Sequence, residues 1–332
     1  MIMFVIRRIA SMLAVLLALT IALFTLQELS GVDPARAYVG ANASADALER
    51  TRVQLGLDQP AIVRYVDYLG GLLQGDLQNS LRTRTPVADG LSTAFPATIE
   101  LALWALGLAL VLGSIFAVLT VVRWKGAGIV RVVLLSGASA PTFLLTMLGL
   151  LFFYGQLGLL PSGGRSSFGS TSPGPTGLFV LDGLLAGRVD VATDAIWHLI
   201  LPAACVAISP AVAIGRVLVD GLRINLVSDH ARTARAAGMP EGLVMLRHAV
   251  RNSLGATLSM IGIQAGLLLG GLVVVEKIVS WPGVGSYLDK SVQASDFPGI
   301  AGVALLLGVT YVVLNTLVDL LQVAADRRIA LS

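Results

Sequence analysis

The sequence predicts an all-α polytopic membrane protein with six transmembrane helices, and three observations carry that expectation. Hydrophobic residues make up 55% of the 332-residue chain and charged residues only 13%, with a mean hydropathy of +0.82; soluble domains carry about a quarter charged residues. Six stretches reach the roughly 20 apolar residues that cross a hydrocarbon core. The breaks between them are polar or rich in Gly, Pro and Ser. The net charge of +3 gives no reason to expect a nucleic-acid partner. The single cysteine, Cys205, excludes an intrachain disulfide framework and a thiolate metal site.

The first expected span, 9–29, follows Arg7 and Arg8. With Ala35-Arg36-Ala37 beyond it, this opening imitates a cleaved secretory signal. The apolar run is long for a signal core, and Gly31–Pro34 separates it from the cleavage-like site, so residues 1–29 are expected to stay as a span. Residues 30–95 are long, mixed in charge and dotted with apolar residues (Leu55, Leu57, Tyr65, Tyr68, Leu69, Leu72), which suggests a small folded extracytoplasmic cap. A five-helix core, 96–332, then carries spans at 97–122, 132–154, 196–219, 254–275 and 300–323. Within it, the Gly/Ser/Pro stretch 162–177 is expected to be a flexible outer loop.

Orientation follows from Lys and Arg in the short loops. With both termini cytosolic, segments 1–8, 123–131, 216–251 and 324–332 lie inside and hold most of the basic residues. The short outer segments 155–195 and 276–299 hold only Arg165, Arg188, Lys277 and Lys290.

That orientation puts the most distinctive segment, 228–255, in the cytosol. It reads as two short helices separated by Gly238-Met239-Pro240, since Gly suits the position past a helix end and Pro the first turn of the next. Arg232 and Arg235 share a face of the first helix, and Arg247 and Arg251 a face of the second. Leu243, Leu246 and Val250 form an apolar stripe. Such a basic finger fits a groove on a cytosolic protein; it equally fits an amphipathic hairpin lying on lipid headgroups.

Catalytic chemistry is not legible. In 283–291 the Lys290-Ser291 pair imitates a phosphate loop, but Val284 and Asp289 occupy the two positions that need glycine. His198, His230 and His248 form no metal or hydrolase motif. An ATPase driving this protein would have to be another chain. Polar groups within the spans are the remaining candidates. Arg216 and Asp220, four apart near an inner helix end, read best as a local ion pair. Gln264, among Gly262, Gly266, Gly270 and Gly271, reads as an interhelical hydrogen bond or a pore-lining amide, and Gly266-x-x-x-Gly270 would let another helix approach closely.

The run 231–252, ARTARAAGMPEGLVMLRHAVRN, resembles the coupling segment of permease subunits in dipeptide/oligopeptide ABC importers. The likeness extends along most of the chain: the double Arg and SGVDPA (30–35), LGLDQP (55–60), GDLQNS (75–80), PATIEL (96–101), HLILP (198–202), EKIVSWPGVG (276–285), Asp296 with Pro298, and Asn315 with Asp319. It departs at Asp326-Arg327-Arg328-Ile329, where the family usually has Pro second, and at Ser253-Leu254-Gly255, where it often has Leu-Leu-Pro. Arg232-Thr233-Ala234 replaces the Glu-Ala-Ala of the general importer signature, as is usual in the peptide branch.

The resemblance implies the type I ABC importer permease fold in a bacterial inner membrane. It implies a second, similar permease as partner, two cytosolic ATP-binding subunits that bind ATP and Mg, and an extracytoplasmic substrate-binding protein, with no cofactor in this chain. Coupling to the ATPases would fall on Arg232, Thr233, Ala234, Arg235, Ala237, Gly238, Met239, Pro240, Arg247 and His248. Ser259, Gln264, Glu276 and Asn315 would line the translocation path. Asp58, Gln59, Asp76, Trp281, Pro282 and Asp296 would face the binding protein. The substrate would be a dipeptide, a longer peptide, glutathione, a nickel chelate or haem. The competing reading is a self-sufficient secondary transporter or channel, although inverted repeats and midplane charges are not evident.

Overall fold

The computed structural model describes residues 2–31, 33–40, 43–122, 124–169, 172 and 174–325; Arg123 and the 326–329 motif lie outside them. Every regular element among the described residues is helical. Five helical runs are long and apolar enough to cross a membrane: Ala10–Leu29, Val87–Val121, Val189–Leu226, Glu241–Ile278 and Phe297–Gln322.

The expected third span, 132–154, is a broken one. Helices α6 (Ala127–Ser139) and α7 (Thr142–Gly149, continuing as a π-helical run Leu150–Gln156) are bent by 111°. Pro141 cannot donate a backbone hydrogen bond and disfavours helical backbone at the residue before it. Ala140 is accordingly extended, at φ −87° and ψ 141°.

The chain divides into two compact units, with divisions inside helices α5 (Val87–Val121) and α14 (Phe297–Ala325) and a further one in the loop between Trp281 and Pro282. One unit comprises Ile2–Ala97 and Pro282–Thr310. It contains α1 (Ile2–Leu29), three short helices, α2 (Pro34–Val39), α3 (Ala45–Gln54) and α4 (Ala61–Leu73), and α13 (Val284–Gln293). The cap segment is helical because its polar groups are locally satisfied. Asp33 caps α2 through the Ala35 N–H and pairs with Arg52 at 2.7 Å. The Arg52 guanidinium holds the Asp33 carboxyl below the usual carboxylate range. Phe24 packs edge-on against Tyr65, whose hydroxyl lies 3.0 Å from Thr20 Oγ1. Val87, Leu91, Ala94, Val284 and Val303 form a second apolar cluster in this unit.

Among the described residues, the other unit comprises Thr98–Trp281 and Tyr311–Ala325. Its axis is α9 (Val189–Leu226), a 38-residue helix packed against α5, α6 and α12 (Arg251–Ile278). Small residues let the helices touch by backbone. A Cβ on Gly113 would sit 2.8 Å from the Ala211 carbonyl oxygen, and one on Gly221 would sit 2.8 Å from the Ser253 side chain. Between α12 and α14 the close positions are Gly262, facing Val318, and Gly266, facing Tyr311. The glycine pair marking the crossing is thus shifted one turn from the expected Gly266/Gly270, and Gly270 has open space beside it.

The described residues of 162–177 are tied down more than the composition suggests. Helix α8 (Phe179–Leu185) supplies buried Asp182, which accepts hydrogen bonds from Ser172 Oγ (2.6 Å), Thr176 Oγ1 (2.7 Å) and the Gly177 N–H (2.8 Å). Burial opposes the Asp182 charge, but these donors outweigh it and hold the carboxyl below its ordinary value. Asp194 holds Ser166 and Ser167 in the same way. Arg165 donates to the buried Glu100 carboxylate and to Gly177 O, with its guanidinium 4.3 Å from the Phe179 ring centroid. Gly163, at φ +158°, lies so close to the Val279 carbonyl that a Cβ there would be 2.1 Å from its oxygen. Composition located the loop; the acceptors that fix it lie outside the loop or after it.

Candidate functional site

The polar segment after α9 folds into a helical hairpin. Helix α10 (Asp229–Ala236) ends at Ala237, and Gly238 turns the chain with φ +83°, a left-handed value that suits Gly. Pro240 then starts α11 (Glu241–Val244), which passes without a break through a π-helical turn, Met245–Val250, into α12. The expected second short helix is therefore the exposed end of a span.

Packing inside the hairpin is made by small apolar residues. Ala231, Ala234 and Val244 form its core, with Leu226 and Met239 against them. Leu243 and Leu246 are 43% and 65% exposed, whereas Val244 and Ala249 are fully buried. The reason is the π turn: its hydrogen bonds run from i to i+5, so positions five apart face inward where α-helical spacing pointed to three and four. Val250 alone of the expected stripe packs inward, against the cluster built on Phe116, Leu218 and Leu222.

The basic residues divide into two groups. Arg235 is a staple: its guanidinium grips Glu241 through Nε (2.8 Å) and Nη2 (2.6 Å) while Nη1 donates to the Leu226 carbonyl at the end of α9 (2.8 Å). Arg232 points outward with only a 3.4 Å contact to exposed Asp229, and Arg247 is exposed with no acidic partner among the described residues. Thr233, Ala237, Gly238 and Pro240 complete the exposed tip. His248 is half-buried, 6.2 Å from the His230 ring, and its Nε2 has no hydrogen-bond partner among the described residues. Of the ten residues expected to couple, Ala234, Met239 and Arg235 thus shape the hairpin and the others cover its surface or flank.

Three of the four path candidates bond within their own helices. Ser259 is exposed on α12 and bonds to Gly255 O; the Gln264 amide contacts Met260 Sδ at 3.7 Å on its own helix; Asn315 bonds to Tyr311 O. Glu276 is fully buried and accepts from Thr98 Oγ1 at 2.6 Å. It ties α12 to α5.

The outer-contact candidates split similarly. Asp58, Gln59, Asp76 and Pro282 are exposed. Gln59 and Asp76 border a cavity of about 350 Å³ next to Tyr68, whose buried hydroxyl is pushed up to about 12 by desolvation. Trp281 is 1% exposed, with its ring 5.8 Å from the Arg165 guanidinium. Asp296 is fully buried, accepting from Ser80 Oγ (2.5 Å) and the Leu81 N–H (2.9 Å). Trp281 and Asp296 are internal supports, a role their apolar and Ser-rich neighbourhoods could not announce.

Arg216 and Asp220, expected to pair, do not come within ion-pair distance. They share instead a cleft with Arg131 and Arg223.

The arrangement defines a polytopic helical membrane protein in which two span-length helical runs are joined through a basic helical hairpin. Residues 109–331 match the family described as "Binding-protein-dependent transport system inner membrane component", and residues 1–102 match the N-terminal part of such membrane components. The chain belongs to this family, and it is a membrane-spanning permease subunit of an ABC importer with the type I permease fold. It is 40% identical to the probable D,D-dipeptide transport system permease protein DdpB of Escherichia coli K12 over 92% of this chain and 91% of that protein. It is 34% identical to the dipeptide transport system permease protein DppB of Alkalihalophilus pseudofirmus over 99% of each chain. It is 32% identical to the glutathione transport system permease protein GsiC of Escherichia coli O6:H1 over 98% of each.

Proposed function

We propose that this chain forms half of the translocation path for dipeptides or short peptides, paired with a second, similar permease. Two cytosolic subunits that bind ATP and Mg seat on the hairpin tip, and an extracytoplasmic binding protein delivers the peptide on the opposite side. Both termini are cytosolic, so the basic segments lie inside. The observation that carries the reading is continuity: α10 follows α9, and α11 runs through one π turn into α12, so movement of the tip is passed directly to two spans. Arg232, Thr233, Gly238, Pro240 and Arg247 present the contact surface, while Arg235, Ala234 and Met239 keep it in shape. The peptide preference is supported by the names of the relatives and by their full-length similarity.

The test is co-purification in mild detergent, followed by mass spectrometry and peptide uptake in proteoliposomes. Recovery of a second permease and ATP-binding subunits, lost on Arg232→Glu/Arg247→Glu, is the expected result. A chain that purifies alone and moves solute without ATP would be a secondary transporter and would overturn the proposal.

A further inference from the structure

A cleft of about 230 Å³ lies among α5, α6 and α9, lined by Phe116, Thr120, Arg131, Leu135, Arg216, Val219, Asp220 and Arg223. Its floor is apolar: Phe116 and Val219 are buried and Leu135 half-buried. Its rim carries three guanidinium groups against one carboxylate. Among the described residues, no carboxylate approaches any of these arginines within 4.0 Å and no cation approaches Asp220 within that distance.

The position in the fold narrows what could fill it. Thr120 is in the last turn of α5, Arg223 in the last turn of α9, and Arg131 in the second turn of α6, so the rim lies where the spans end. Beside it, Trp124, Ile129, Val132 and Val133 are all more than half exposed. An indole at the end of a span is characteristic of the headgroup level, and apolar side chains beyond it fit acyl chains. Arginines favour phosphate because the planar fork donates in pairs. The helix C-termini account for part of the preference for positive charge here, but the three guanidinium groups have no protein acceptor among the described residues.

We propose that this cleft binds the phosphate-bearing headgroup of an anionic phospholipid of the cytosolic leaflet, with its acyl chains along the exposed face of α6. The leaflet rests on the orientation given above; the chemistry of the cleft does not depend on which partners the hairpin has. Each arginine near an anionic headgroup contributes a factor of about five in binding, so all three give roughly a hundredfold.

The experiment is native mass spectrometry of the purified complex, exchanged into nanodiscs of phosphatidylglycerol and phosphatidylethanolamine in phosphate-free buffer. The expected result is selective retention of phosphatidylglycerol, weakened roughly a hundredfold by Arg131→Gln/Arg216→Gln/Arg223→Gln and strengthened by Asp220→Asn. Adding inorganic phosphate should leave that retention unchanged. Equal retention of both lipids, or an Arg triple variant that keeps its phosphatidylglycerol, would overturn the proposal. So would displacement of the lipid by inorganic phosphate, which would make the occupant a free anion. Loss of the ATP-binding subunits from the triple variant with lipid retention unchanged would assign the arginines to a protein contact and reject the lipid site. Because lipid is counted independently of uptake, the result stands apart from the outcome of the peptide-transport test.

Discussion

Two polar segments of this protein look alike in sequence and are built in opposite ways. Among the described residues of 162–178, the Ser166, Ser172 and Thr176 hydroxyls, the Ser167 and Gly177 N–H groups and Arg165 turn inward onto three carboxylates, Glu100, Asp182 and Asp194. The hairpin 228–250 turns alanines and Val244 inward and sets most of its charges outward. A polar segment between apolar runs is therefore fixed by what waits to receive its donors. Inward polarity ties a segment to the body of the protein, whereas outward polarity on an apolar hinge gives a surface that another protein can grip.

Breaking the inward set should cost most. Arg165→Ala leaves Glu100 buried without its cation, a loss of about 3–5 kcal/mol, read as a fall in the thermal midpoint of the detergent-solubilised protein. Replacing both residues by apolar side chains of similar volume should recover much of it, because the desolvation penalty disappears with the charge. Gly163→Ala should come next, at about 1–3 kcal/mol for forced overpacking, since its Cβ would strike the Val279 carbonyl. A midpoint equal to wild type would mean the loop is not seated as described.

Acid should loosen the same loop. The Asp182 carboxyl sits below its ordinary value near 3.8, so its contribution is complete above that pH and is lost as pH falls through the lowered folded value. Pepsin cleavage within 162–178 should therefore rise steeply below about pH 3.8, and Asp182→Asn should be cleaved readily at higher pH as well. In the outward set the order of effects inverts. Gly238→Pro demands φ near −65° where the chain has +83°; transport should be abolished while the protein stays in the membrane and the bundle melts near its wild-type midpoint. Arg247→Ala should not shift the midpoint at all, and should show only as weaker capture of ATP-binding subunits.

Much of this was legible in the sequence. Hydropathy located the spans, Gly238-Met239-Pro240 located the turn, and ordered motifs identified the family. Three features were not legible, each for a physical reason. The bend at Ala140-Pro141 was hidden because hydropathy is continuous across it, although Pro141 is a local signal. The inward face of α11 was misplaced because a π turn changes the period that an amphipathic pattern is read against. The internal roles of Glu276, Trp281 and Asp296 depend on Thr98, Arg165 and Ser80, which are distant in the chain, and no local pattern names such partners.

The unbroken helical run Glu241–Ile278 spans 38 residues, about 57 Å at 1.5 Å per residue, well beyond the roughly 30 Å hydrocarbon core. Such a rod can tilt or spin but cannot stretch, so the π turn at Met245–Val250 acts like the phase setting of a gear. Removing one residue there would leave the shaft intact yet rotate everything beyond it by about 100°, carrying Gly262 and Gly266 away from α14. The timing between the two ends of the shaft is thus written in a single surplus residue.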